Sequence, residues 1–572
     1  MYTTGTAFLE ALHECGISYV FANLGSDHPA IVESVAEARV SGRRIPMLIT
    51  CPNEMVALSA AQGYAQVSGQ AQAVLVHVDC GTQALAGAVH NVAKARIPVM
   101  IFAGLSPFTQ EGEMRGSRNE FIQWIQDVRD QRGIVRGYMK YDNELRTGKN
   151  VKQMVYRAMQ FAQSDPQGPV YLVGAREVME EDLQPQTFAS LQVDQWRPIA
   201  PCALPSEGLS ALLGDLLSAK NPLIVTSYLG RSKAAVAQLQ MLVDTLAIPV
   251  LESVPSYVNL PATHPMYMGN QWNAPRQNEV LAAADVVLVI DSDVPWIPLV
   301  NKPASDATVY YIDTDPLKEQ MPLWYIPSKR IFRADAHTAL RQLNAALQQV
   351  TLDGTTIEAR RNEAHARHDM RERELREREL PRKAVITPEY LTACIREFID
   401  ADTIVCNEGI SNYDTIINHL AVSVPGGMIA SGGGSLGWNG GAALGMKMAQ
   451  PDKTVVALCG DGSYLFSVPS SVHWMARRYR APFLTVIYNN GGWKSPKLSA
   501  LAVHPDGYAS RSDDLAVTFD QPADYAGIAA AAGGAHAETV TDPDDVKAAL
   551  QRAFAALKEG RAAVLNAVLE VF

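Results

Sequence analysis

A set of uninterrupted apolar runs, each about one strand long and spaced by helical patterns, constrains this chain more than any other feature. "AQAVLVHV" and "RIPVMIFAG" lie in the first third, "ADVVLVIDSD" in the middle, and "KTVVALCGDG" and "PFLTVIYNN" near the end. A strand that is apolar throughout leaves no face for water, so it must be covered on both sides. Helices between such strands predict parallel βαβ units with helices on both faces of the sheet. The pattern breaks twice. A polar, proline-bearing stretch, "EEDLQPQTFASLQVDQWRPIAPCALP", follows the first group, and a run of mixed charge, "EARRNEAHARHDMRERELREREL", follows the second. For 572 residues at roughly 150 per domain, the expected class is α/β, with three doubly wound parallel-sheet domains in series. The expected bounds are 1–186, 200–350 and 384–572, with a charged linker helix over 351–383.

The charge balance is 49 basic against 60 acidic residues, a net −11, with no basic cluster. That argues against nucleic acid as a partner. The seven cysteines are scattered, odd in number and never in C-x-x-C, which fits a reducing compartment rather than a disulfide frame or zinc site. The N-terminus lacks a basic segment followed by an apolar one, and no apolar run reaches 18 residues. The ending "NAVLEVF" is not a peroxisomal tail. A cytoplasmic enzyme without a membrane partner is the expectation.

The strongest chemical signal is Gly460-Asp461-Gly462 at the end of one apolar strand, followed by a helix and a second apolar strand ending in Asn489-Asn490. Parallel strands joined by a helix put both ends on one edge of the sheet. A carboxylate, an amide oxygen and a backbone carbonyl there suit a small hard cation such as Mg²⁺, together with phosphate oxygens. Flanking glycines let the backbone come close to a diphosphate. Asp-Gly alone is usually a turn, and the glycine-rich "SGGGSLGWNGGAALG" alone reads equally well as tight helix packing.

Taken together, these motifs resemble the thiamine diphosphate (ThDP) binding pattern of the acetolactate synthase, pyruvate oxidase and benzoylformate decarboxylase superfamily. The resemblance covers essentially the whole chain, in the order pyrimidine-binding, middle and diphosphate-binding domain. It implies Asp461, Asn490 and the Gly492 carbonyl as Mg²⁺ ligands. Gly462, Ser463 and Ser411 would lie against the diphosphate. Leu436 would sit under the bent cofactor, and the Gly434 carbonyl would accept from the aminopyrimidine. It also implies a homodimer as the minimum catalytic unit and a homotetramer as the expected assembly. The middle region has no G-x-G-x-x-G fingerprint, so FAD is not favoured there, although the family can hold FAD or ADP.

"NEMVALSAAQGYAQVSG" opens with one acid, Glu54, ahead of small and apolar residues at helical spacing. An acid at a helix start ordinarily just meets the helix dipole. The resemblance implies more: Glu54 matches the glutamate that bonds N1′ of the aminopyrimidine, favouring the imino tautomer that takes the thiazolium C2 proton. The resulting ylid is the nucleophile.

Two further matches point to the benzoylformate decarboxylase pattern. In "NLGSDH", Ser26 takes the place of a substrate-contacting serine, with His28 a weaker candidate in the same loop. In "VHVDCGT", His77 takes the place of a catalytic histidine able to shuttle protons. Gln126, in "WIQDVRD", roughly matches an active-site glutamine, and Trp493 is expected at the pocket mouth or lid. His264 is expected to be structural. The implied activity is ThDP- and Mg²⁺-dependent decarboxylation of 2-oxoacids, with ligation of the product to a second carbonyl as in acetolactate synthases. The alternatives are a C–C lyase or hydrolase acting on 1,2-diketones or 2-hydroxyacyl-CoA, and a non-catalytic ThDP-fold regulator.

Overall fold

The computed structural model describes residues 2–512 and 515–570. It contains three six-stranded sheets in which every strand pairing is parallel. The first is built from β1 (Tyr19–Ala22), β2 (Met47–Thr50), β3 (Gln72–Val76), β4 (Val99–Leu105), β5 (Tyr141–Leu145) and β6 (Val170–Ala175), in the order β2-β1-β3-β4-β6-β5. The second comprises β7 (Pro222–Thr226), β8 (Val250–Ser253), β9 (Tyr267–Gln271), β10 (Val286–Ile290), β11 (Thr308–Asp313) and β12 (Arg330–Arg333), in the order β12-β11-β10-β7-β8-β9. The third comprises β13 (Thr403–Glu408), β14 (Met428–Ala430), β15 (Thr454–Gly460), β16 (Leu484–Asn489), β17 (His536–Val540) and β18 (Ala563–Val568), in the order β14-β13-β15-β16-β18-β17. Central strands such as β3, β7 and β10 are buried at every residue, as their sequences require. The last two residues of the chain, within the ending "NAVLEVF", lie outside the described residues.

Between the second and third sheets runs a 25-residue helix, Gly354–Arg378, with only Ala364, His368 and Leu375 buried. Its charges pair along the helix, as in Arg367–Glu363 at 3.0 Å and Arg376–Glu372 at 2.9 Å.

The first and third sheets meet through two helices of small residues. Glu54–Ser68 is capped by the Asn53 side chain and closed by Gly69 in the left-handed region. It crosses Trp438–Ala449, which follows Gly437. A Cβ on Gly63 would lie 2.3 Å from the Ala442 carbonyl oxygen, and one on Gly445 would lie 1.9 Å from that of Ala60. Only glycine permits the backbones to approach so closely. The crossing sets the acid end of one helix and the glycine-rich turn ahead of the other in a fixed relation.

Candidate active site

The register pairs Ala22 with Leu75 and Leu105 with Ala175, so the segments after β1, β3, β4 and β6 leave one edge of the first sheet. Ligands in open parallel sheets collect at this edge. Four side chains converge there. Asp27 Oδ1 lies 2.5 Å from His77 Nδ1 and 3.0 Å from His28 Nδ1, and its Oδ2 accepts from the Val78 N–H at 3.2 Å. His77 Nε2 lies 2.8 Å from Gln126 Oε1. The Gln126 amide nitrogen contacts Cys80 Sγ at 3.5 Å, which turns its oxygen toward the imidazole. Both His77 nitrogens therefore face acceptors, as an imidazolium requires.

The electrostatics agree with that geometry. The hydrogen bond to Asp27 raises the His77 pKa, against the opposing effect of burial. Burial works against the charge on Asp27, but His28 and His77 outweigh it and hold the carboxyl well below the usual range. Space is as restricted as charge: a Cβ on Gly25 would lie 2.0 Å from His77 Nδ1, and one on Gly104 would lie 1.9 Å from Asp27 Oδ2. Asp27, His28 and His77 are of metal-ligating types, with ligand atoms within 4.8 Å of one another. His77 Nδ1 shares a proton with the carboxylate, while His28 Nδ1 is taken up by the Gly25 N–H, so the cluster reads as a proton-sharing site between Asp27 and His77.

Asp27 was not singled out from sequence. Its only signal was an acid between Ser26 and His28, and its partner His77 lies fifty positions away. His28, the weaker candidate of this loop, lies deeper than His77. It is 1% exposed, packed against Phe102, and accepts from the Gly25 N–H at 3.1 Å. It stands behind Asp27 because the chain enters the Pro29–Ser41 helix there. Ser26 is half-buried in the same loop, and its carbonyl accepts from Arg176 at 3.3 Å.

Glu54 begins its helix at the same edge and accepts from Asn23 Nδ2 at 2.8 Å. It is half-buried within the chain, less enclosed than its apolar neighbours in sequence suggest. The burial of this helix begins at Val56, two residues further in.

In the third sheet, Glu408 pairs with Cys459 and Gly460 with Tyr488, so β13, β15 and β16 end together. Asp461 opens a short helix, Asp461–Phe466, and is 2% exposed. Its carboxylate accepts from the N–H groups of Gly462 at 2.8 Å and Gly491 at 2.9 Å. Burial raises its pKa, and backbone N–H groups of Gly462, Gly491 and Gly492 pull it back. Asn490 is 6% exposed, and its buried Oδ1 has no hydrogen-bond partner. An orphaned amide oxygen is costly in the interior. Together with the adjoining carboxylate, it is a donor set that suits a small hard cation.

Asn490 and Ser411 line one cavity of 490 Å³, with Lys494 and Arg382 also in its wall. Ser463 is buried beside Gly462. Gly434 is exposed and Leu436 half-buried in the turn before the Trp438–Ala449 helix. Trp493 is half-buried against the Gly460–Gly462 turn. Its ring would lie 2.2 Å from a Cβ on Gly462, and it stands edge-on to Phe519. Gly492, at φ +144°, turns the chain so that the Trp493 N–H bonds the Val517 carbonyl. His264 bonds Asp244 at 3.2 Å, in keeping with a structural role.

Comparison with known proteins bears on both clusters. Residues 2–133 match the N-terminal TPP binding domain of thiamine pyrophosphate enzymes, 209–343 the central domain, and 409–567 the C-terminal TPP binding domain. The acetolactate synthase large subunit of Lactococcus lactis is 22% identical, with 80% of this chain and 75% of that protein covered. Benzoylformate decarboxylase of Pseudomonas aeruginosa is 25% identical, with 86% of each covered. The solved structure of a ThDP-dependent 4-hydroxybenzoylformate decarboxylase from Rhodococcus jostii superposes with a TM-score of 0.79 at 21% identity, covering 100% of this chain and 99% of that one.

Proposed function

The chain belongs to the thiamine pyrophosphate enzyme family, and on that premise we propose that it is a ThDP- and Mg²⁺-dependent 2-oxoacid decarboxylase. The observation that carries this reading is the Asp27–His77–Gln126 chain, which holds a doubly hydrogen-bonded imidazole at the edge of the first sheet. When bound, the cofactor supplies a nucleophilic carbon for the substrate carbonyl and a sink for the electrons left as CO₂ departs.

The protein's own groups do the rest. His77 would hold a proton at Nε2, and Asp27 favours the charged ring and orients it, so the proton is available to the product carbon. Glu54 offers a carboxylate to the aminopyrimidine. Asp461, Asn490 Oδ1 and the Gly492 carbonyl would ligate Mg²⁺, with Ser411, Gly462 and Ser463 along the diphosphate and Gly434 and Leu436 at the rings. In this reading 1–186 binds the pyrimidine, 384–572 binds the diphosphate, and the unit is at least a homodimer.

A poised proton donor favours release of an aldehyde over ligation to a second carbonyl. The test is a panel of 2-oxoacids with purified protein, ThDP and Mg²⁺, measuring CO₂ and separating aldehyde from acyloin or acetolactate. Aldehyde is expected, with a loss of on the order of 10²-fold or more in His77→Ala. Turnover to acetolactate alone would refute the decarboxylase reading in favour of the carboligase.

A further inference from the structure

The turn Ser431–Gly437, which carries Gly434 and Leu436, is gripped from two directions by side chains that no motif singles out. From within the third sheet comes Glu408, the last residue of β13. Its Oε1 accepts from the N–H groups of Gly437 at 2.8 Å and Trp438 at 3.3 Å. Its Oε2 accepts from the Asn439 N–H at 2.8 Å and from Asn439 Nδ2 at 2.5 Å. From the first sheet comes Asn91, on the Val78–Lys94 helix that starts directly after His77. Its Nδ2 donates to the Ser435 carbonyl at 2.8 Å, and its Oδ1 accepts from the Ser435 N–H at 3.0 Å. Ser435 lies between Gly434 and Leu436, so both main-chain hydrogen-bonding groups of the central residue are held by one side-chain amide.

We propose that Glu408 and Asn91 are positioning residues for the cofactor, fixing the one conformation of this turn in which Gly434 and Leu436 face it. The inference rests on the cofactor reading above.

Glu408 is chemically unusual. It is 1% exposed, and among the described residues no Lys, Arg or His lies within ion-pair distance. The titratable groups around it are Cys406 on its own strand, Cys459 on β15 and Tyr413 on the following helix, all pushed up by burial and so neutral. Its charge is balanced only by four N–H donors and the positive end of the Trp438–Ala449 helix. A buried carboxylate without a counter-ion is a poor way to gain stability. A glutamine in its place would turn an NH₂ group toward N–H donors, so only the carboxylate accepts from all four. Burial lifts the Glu408 pKa to about 7 against these donors, so the grip should weaken as the group protonates.

Room for adjustment is slight. A Cβ on Gly433 would lie 2.5 Å from Asn91 Oδ1, and one on Gly437, at φ +90°, would lie 2.6 Å from the Phe466 carbonyl oxygen. The turn is therefore also wedged against the end of the Asp461–Phe466 helix. A shift in it would move the pyrimidine-facing and diphosphate-facing groups relative to each other.

The experiment is calorimetric titration of ThDP, with Mg²⁺ present, into wild type, Glu408→Gln and Asn91→Ala at pH 6 and pH 8. Circular dichroism melts on the same samples report folding. Loss of one or two hydrogen bonds at the turn should weaken ThDP binding about tenfold in each variant, while secondary structure is retained. Wild type should bind more weakly at pH 6 than at pH 8, and Glu408→Gln should lose the part of that difference that Asn91→Ala keeps. If Glu408→Gln does not fold, Asn91→Ala carries the test. A folded variant that binds ThDP within about twofold of wild type would overturn the positioning role alone. A wild type that binds no ThDP would overturn this inference and the cofactor reading together.

Discussion

Replacing Gly445 by alanine sets two physical effects against each other. Gly445 lies within the Trp438–Ala449 helix, where alanine is intrinsically favoured over glycine by about 1 kcal/mol. If helix propensity decided the outcome, the variant would be more stable. The new Cβ, however, would stand 1.9 Å from the Ala60 carbonyl oxygen and 3.0 Å from its Cα. Ordinary contact begins near 3.4 Å, so the two helices must part by about 1.5 Å locally, since a main-chain carbonyl cannot move away by changing rotamer. Overpacking of this kind costs about 1–3 kcal/mol, with backbone clashes at the upper end. The net expectation is a loss of about 2 kcal/mol, or about 4–8 °C in the melting temperature of the affected unit. Because Glu54 opens one helix and Leu436 precedes the other, ThDP affinity should fall as well. Differential scanning calorimetry and ThDP titration check both. An unchanged or raised melting temperature would show that the crossing yields freely, and the argument from close approach would be wrong.

Three further outcomes follow from the charges. Asp27→Asn removes the partner that raises His77, so His77 should lose its proton at lower pH and the alkaline fall of kcat/KM should move toward acid. Asp461 must be ionised to ligate a cation, and burial raises its pKa. The Mg²⁺ concentration for half-activation should therefore rise as pH is lowered, and Asn490→Ala should raise it at every pH. Glu252, buried beside Asn259 and Tyr267, is pushed up by burial to about 7 from an ordinary 4.5. Its raised pKa stabilises the fold below about pH 4.5, a contribution lost as pH rises through 7, on the order of 3 kcal/mol. In Glu252→Gln, stability measured by denaturant should lose that slope between pH 4.5 and 7.

The strands that could be read directly are those covered on both faces, such as β3, β10 and β15, because such a strand can be nothing but apolar. Those not anticipated, β2, β5, β9, β12 and β17, all stand at sheet edges. Edge strands such as β2 and β12 leave residues exposed, Met47 and Thr50 in one and Ile331 and Arg333 in the other, so burial does not demand an apolar residue at every position. The site divides in the same way. Asp461 and Asn490 announce themselves because a metal–diphosphate turn needs glycine and oxygen donors at adjoining strand ends, which βαβ connectivity places together within one stretch of chain. Asp27, Asn91 and Glu408 do not, because each acts on a partner brought near only by the fold.

The amino-acid sequence by itself determined the architecture and the chemistry of the cofactor turn. Solvent exclusion from apolar strands and the conformational freedom of glycine are local demands that any fold of this chain must meet. Only the tertiary structure decided that Asp27 holds His77, that Asn91 reaches across to Ser435, and that Trp493 lies on Gly462. Those contacts join residues distant along the chain. They depend on the angle and closeness at which packed helices and sheet edges meet, which no single segment encodes.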